Sequence, residues 1–165
     1  MSLEGIFAGY ALGAIDDKGR VAVPAALRNS IPGDAKGRQL FIAKHPEAQC
    51  LIASGSDRLK RLAEELEDER KGAIARNIEF DRYTYERKLF AGEVIPIDAS
   101  GRFVMPPVLM RRAKLGSDVF LYGAGRYFEI WDLAFLLASE DPRFEEMRET
   151  AEALIAERDA KAVRA

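Results

Sequence analysis

Cysteine and histidine each occur once in this chain of 165 residues, and neither sign of charge dominates it: 25 Lys and Arg face 27 Asp and Glu, a formal net charge of −2. A single cysteine, Cys50, excludes an internal disulfide. His45 and Cys50 lie five positions apart, which fits neither a zinc-ligand spacing nor a nucleophile–base signature. His45, before Pro46, reads as a turn residue, and Cys50, beside Leu51, as a small buried apolar one. Catalysis, a metal site, a cofactor and a small-molecule substrate are therefore not expected. No apolar run approaches the roughly 20 residues a membrane helix needs, so no membrane partner is expected. The opening stretch, MSLEGIFAGYALGAIDD, has no basic leader, carries Glu4 and runs into Asp16 and Asp17. No signal peptide is expected there, and a reducing cytoplasm is the expected compartment.

What the chain does have is a repeat. IDDKGRVAVPAALR at 15–28 returns as IDASGRFVMPPVLM at 97–110, with identities at Ile15/Ile97, Asp16/Asp98, Gly19/Gly101, Arg20/Arg102, Pro24/Pro106 and Leu27/Leu109. Six identities in fourteen positions at a constant offset of 82 exceed the roughly one expected from average residue usage. Charge follows the repeat. Residues 1–50 carry six basic against five acidic side chains and 95–138 five against four, while 51–94 carry nine against ten and 139–165 five against eight. The two repeat-bearing segments are slightly positive, which leaves room for a local phosphate-binding patch on a weakly acidic chain.

Each repeat reads as strand, turn, strand, short helix. DDKGR and DASGR hold turn formers, with Gly free to adopt positive φ, and suit a hairpin. Pro24 and Pro106 suit the first turns of the helices AALRNS and PVLMRRAKL; Pro32-Gly33 closes the first and Gly116 stands at the cap of the second. The strands QLFIA and QCLIA follow in the first half, and DVFLY and YFEIW in the second. YGAGR holds a lone GxG between two strands, a hairpin turn rather than a phosphate loop. Ser56 or Asp57 is expected to cap a helix with Leu59, Leu62, Ala63 and Leu66 on one side, weakened or ended at Gly72. A second apolar run, Ile74, Ile78, Tyr85 and Leu89, leads back to the second repeat. Asp132 is placed to cap LAFLLA. Pro142 opens a long helix whose Phe144, Met147, Ala151, Leu154 and Ile155 form a stripe to be buried in the core or an interface.

The doubled motif, with IFAG near the start, CLI, FAGEVIPIDASGRFVMPPVL and FEIWD in order and spacing, resembles the MraZ family of bacterial transcriptional regulators. The resemblance implies an α+β fold in which two tandem AbrB/SpoVT-like swapped-hairpin units form a pseudo-two-fold β-barrel core, with flanking and C-terminal helices. It divides the chain into a first unit at 6–55, linking helices at 56–90, a second unit at 91–135 and a C-terminal helix at 140–165. It also implies a ring-like homo-oligomer in the cytoplasm and nucleoid. Such a ring would bind double-stranded DNA at short G-rich direct repeats, as a repressor in the promoter of the division and cell-wall gene cluster. The chain departs from the family pattern at Met110, where the second repeat usually carries Arg, and at Glu93, where a small residue is usual.

On that resemblance the Arg-bearing turns are the candidate site. An arginine just past the turn glycine can take phosphate or the O6/N7 edge of guanine in bidentate fashion. Arg20, Lys18, Arg102 and Arg28 are the candidate DNA contacts, and Asp16, Gly19, Asp98 and Gly101 the residues that position the turns. Lys18 has no counterpart at Ser100, so the first hairpin is expected to make the stronger contact, with Arg28, Lys36 and Arg38 as phosphate partners. Two alternatives stay open: the turns are structural and each Arg a clamp, or the hairpins and the acidic tail bind protein, as in antitoxin-like or assembly modules.

Overall fold

The computed structural model describes residues 4–34 and 37–164, without the side chain of Asp34. The first repeat forms β1 (Tyr10–Ala14), β2 (Arg20–Ala22), α1 (Ala25–Arg28), β3 (Gly33–Asp34), β4 (Gly37–Lys44) and β5 (Leu51–Gly55). A 3-10 turn at Ser56–Arg58 leads into α2 (Leu59–Ala75) and α3 (Arg82–Leu89). The second repeat forms β6 (Gly92–Pro96), β7 (Arg102–Val104), α4 (Pro107–Ala113), β8 (Asp118–Gly123) and β9 (Phe128–Asp132). α5 (Leu133–Ala138) follows directly, and α6 (Glu145–Arg164) follows a 3-10 turn at Pro142–Phe144. The fold is α+β, with helices and an antiparallel sheet.

The strands on either side of each DxxGR turn do not form a ladder with each other. Only one bridge, Ile15 to Val21, closes the first turn. β1 pairs instead with β8, β6 with β4, and β2 with β7, all antiparallel and each across the two repeats. The main sheet runs β1-β8-β9-β5-β4-β3, with β6 also on β4. Matched hydrogen bonds tie the halves: Val23 N–H donates to the Gly101 carbonyl at 2.9 Å, and Met105 N–H to that of Gly19 at 2.8 Å. Strands of three residues are too short to hold together alone, so each turn's arms take partners from the other half.

Successive strand side chains alternate between the faces of the sheet, and both faces are covered at its middle, so residues 40–43 of β4 are an unbroken apolar run. Leu40, Ile42, Leu51, Val119, Leu121 and Ile130 face a central core shared with Val21, Val23 and Leu27 of the first repeat and Phe103, Met105 and Leu109 of the second. Those last six are counterparts at the offset of 82, so the repeat's apolar positions are the two halves of one core. Phe41 and Ala43 turn the other way, onto Leu62 of α2. Phe120 and Trp131 do the same at the opposite end, under Leu133 and Leu136 of α5 and Met147 and Ala151 of α6.

Several local expectations are corrected. Pro24 and Pro106 are N-cap residues with extended backbone, one position before the first turns, and Pro107 takes the first turn of α4. α4 ends in a left-handed Lys114 rather than at Gly116, whose N–H instead donates to Asp132 Oδ1 at 2.7 Å. Gly33 opens β3, and Asn29 is the cap that closes α1. Neither Ser56 nor Asp57 caps α2: the 3-10 turn intervenes and the N-cap is Arg58. Gly72 lies inside α2 and does not end it, and Ala63 is exposed. Left-handed Asn77 breaks the Ile74–Leu89 run, leaving Ile74 62% and Ile78 55% exposed. Asp132 caps α5 as expected, accepting from Phe135 N–H at 3.0 Å.

Candidate nucleic-acid interface

At the first turn, Asp16 Oδ1 accepts hydrogen bonds from the backbone N–H groups of Lys18 (3.0 Å) and Arg20 (2.8 Å), and Gly19 takes φ +79°. Asp16 Oδ2 accepts from Arg20 Nε at 2.6 Å. The carboxylate therefore both closes the turn and orients the guanidinium. At the second turn, Asp98 Oδ1 accepts from Ser100 N–H (2.9 Å) and Arg102 N–H (3.0 Å), and Gly101 takes φ +80°. Here Arg102 Nε stands 3.5 Å from Asp98 Oδ2, an ion pair without a hydrogen bond. The backbone N–H of Arg20 holds the Asp16 carboxyl below its usual range, helped by the Arg20 side chain. The Arg102 N–H leads the same effect on Asp98.

The β2–β7 ribbon places both arginines on one surface. Its register sets Arg20 opposite Val104, Val21 opposite Phe103 and Ala22 opposite Arg102. Val21 and Phe103 point into the core, so Arg20, Ala22, Arg102 and Val104 share the outer face. Arg20 and Arg102 are diagonal neighbours across the ladder, about 7–8 Å apart. Each is about two-fifths exposed, and Lys18 is exposed at the first tip.

Arg28 and Arg38 stand beside the second turn, not the first. β2 ends against the opposite turn through the Val23–Gly101 bond, and α1 starts there. Arg28 Nη1 donates to the Val23 carbonyl at 3.3 Å, and a Cβ on Gly101 would overlap the Arg28 guanidinium. Gly101 is therefore buried where Gly19 is not. The Arg38 carbonyl accepts from Ile97 N–H at 3.0 Å. Arg28, Arg38, Asp98 and Ser100, with Glu4, line one open cleft. Lys36, the third expected phosphate partner, lies outside the described residues. The one signal for this asymmetry in the sequence is the mismatch of Arg28 with Met110 at the offset of 82.

The family model described as "MraZ protein, putative antitoxin-like" matches residues 89–160. A Burkholderia vietnamiensis protein named Transcriptional regulator MraZ is 32% identical over 137 residues, which cover 82% of this chain and 88% of that protein. A Coxiella burnetii protein of the same name is 34% identical over 121 residues, covering 72% of this chain and 74% of its own. The chain belongs to the MraZ family. The family-model match includes the second turn and the elements after it as far as residue 160 in α6, and leaves the first turn outside.

In this MraZ family member the lone histidine and cysteine serve the fold. His45 Nδ1 accepts from the N–H groups of Glu47 (3.0 Å) and Ala48 (2.9 Å), and Nε2 faces Glu129 Oε2 at 3.7 Å. Cys50 is fully buried, and burial followed by the Glu129 charge pushes its thiol far above the usual range. No helix among the described residues is long and apolar enough to cross a membrane.

Proposed function

We propose that this chain is a sequence-specific DNA-binding transcriptional regulator: a repressor that reads short G-rich direct repeats in the promoter of the division and cell-wall gene cluster. The observation that carries the proposal is the outer ribbon face, where Arg20 and Arg102 sit together, each on a turn whose aspartate holds its guanidinium. A two-stranded ribbon fits a major groove, and bidentate arginine pairs with guanine. The relatives' name, Transcriptional regulator MraZ, supports the regulatory part. Arg20, Lys18, Arg102 and Arg28 contact the DNA, and Asp16, Gly19, Asp98 and Gly101 hold the turns.

The halves, 6–55 and 91–135, are two AbrB/SpoVT-like swapped-hairpin units closing a pseudo-two-fold barrel, with linking helices at 56–90 and a C-terminal helix at 140–165. The exchange of strands between them supports this. A protomer of net charge −2 binds phosphate weakly by itself. A ring-like homo-oligomer that presents several ribbons to tandem repeats raises avidity by about a hundredfold or more, and its head-to-tail symmetry suits direct repeats. The protein works in the cytoplasm at the nucleoid, without a cofactor. DNase I footprinting of the promoter of the division and cell-wall gene cluster is expected to show regularly spaced protection over G-rich repeats; uniform cleavage overturns the proposal.

The family model's antitoxin-like description favours a second reading, in which the hairpins and C-terminal helix bind a protein partner. That reading requires Arg20→Ala, once shown to have lost DNA binding, to keep its regulatory effect in cells.

A further inference from the structure

We infer that the second turn is the phosphate anchor of this interface and that Arg28, supplied across the pseudo-symmetry by the other repeat, completes it; the inference rests on the DNA-binding function proposed above. It reverses the expectation drawn from Lys18, and the charges near each turn give the reason. At the first turn Asp16 and Asp17 balance Lys18 and Arg20. At the second, Asp98 balances Arg102, and among the described side chains Arg28 and Arg38 line the same cleft with Glu4 as the one further carboxylate. Among the described side chains, no carboxylate lies within ion-pair distance of Arg28 or Arg38.

Arg28 is also held in place before any ligand arrives. Its bond to the Val23 carbonyl, which takes one of its five N–H donors, and its seat on Gly101 fix the guanidinium beside the turn. Ordering the side chain in advance lowers the entropy lost on binding. Ser100, exposed on the same cleft, adds a hydroxyl donor. The first turn lacks such a partner because Met110 stands at the matching position of α4. The two turns thus divide the work. Arg20, clamped by Asp16, reads bases, and the second turn with Arg28 fixes the ribbon on the backbone.

The test compares full-length wild type, Arg28→Met, Arg28→Lys and Met110→Arg by fluorescence anisotropy on a tandem G-rich duplex and a shuffled duplex over a salt series. Circular dichroism and light scattering check fold and size. Arg28→Met copies the residue already present in α4, so the fold is expected to hold. It is expected to weaken binding by the same factor on both duplexes and to lower the slope of log K against log salt by about 1. Arg28→Lys keeps most of that slope, which a purely structural Arg28 would not require, and Met110→Arg raises it. If wild type binds and prefers the repeat while Arg28→Met changes neither affinity nor slope, the inference fails and the DNA-binding function stands. If wild type binds neither duplex, the DNA-binding function itself fails, and the inference with it.

Discussion

Asp16 and Asp98 occupy matching turns, yet they grip their arginines differently: a 2.6 Å hydrogen bond at the first and a 3.5 Å ion pair at the second. Both carboxyls titrate below their usual range in the folded chain, chiefly because backbone N–H groups bond the ionised form. A lowered folded value means the ionised state stabilises the fold. That contribution is present above the unfolded aspartate range and is lost as pH falls through the folded value. An Asp16→Asn, Asp98→Asn double variant is therefore expected to melt below wild type at neutral pH, with the gap closing as pH drops below about 4. A gap of constant size across that range contradicts the assignment, and thermal melting followed by circular dichroism reads it. These turns were legible in the sequence because their chemistry is local: Asp, Gly and Arg act within five residues. The seat of Arg28 on Gly101 was not, because it depends on which turn the far end of β2 meets.

α6 shows how an amphipathic stripe is used here. Met147 and Ala151 are buried, and Phe144, Leu154 and Ile155 pack around them. Phe144 meets the Trp131 ring edge-on at 4.8 Å between centroids. The stripe expected to be buried thus docks on the chain's own sheet, behind β8 and β9. Met147→Ala is expected to cost about 2–3 kcal/mol of stability in denaturant unfolding while leaving the salt slope of DNA binding unchanged. A stable variant with altered DNA binding would instead make this face part of the site. Helices with strong periodicity were legible, as was the Asp132 cap of α5, but the start of α2 and the break after it were not. A 3-10 turn displaced the predicted cap of α2, and a left-handed Asn77 split a run that periodicity had joined, turning Ile74 and Ile78 to solvent.

At the scale of the molecule, one repeated motif builds one core. Val21 with Phe103, Val23 with Met105 and Leu27 with Leu109 meet at its centre, which is why the apolar positions recur along with the turns. The pairing of β1 with β8 and β6 with β4 cannot be read from local pattern, since alternation in a strand names a buried face and not a partner. That exchange brings Arg20 and Arg102 onto one ribbon face, and the central claim is that this face reads DNA. Fluorescence anisotropy on a tandem G-rich repeat and a shuffled duplex, for wild type and Arg20→Ala at two salt concentrations, tests it most directly. The account predicts that wild type prefers the repeat and that Arg20→Ala loses the preference with its size by light scattering unchanged. Equal, weak binding of wild type to both duplexes, untouched by the substitution, would make the arginines structural clamps and contradict the account.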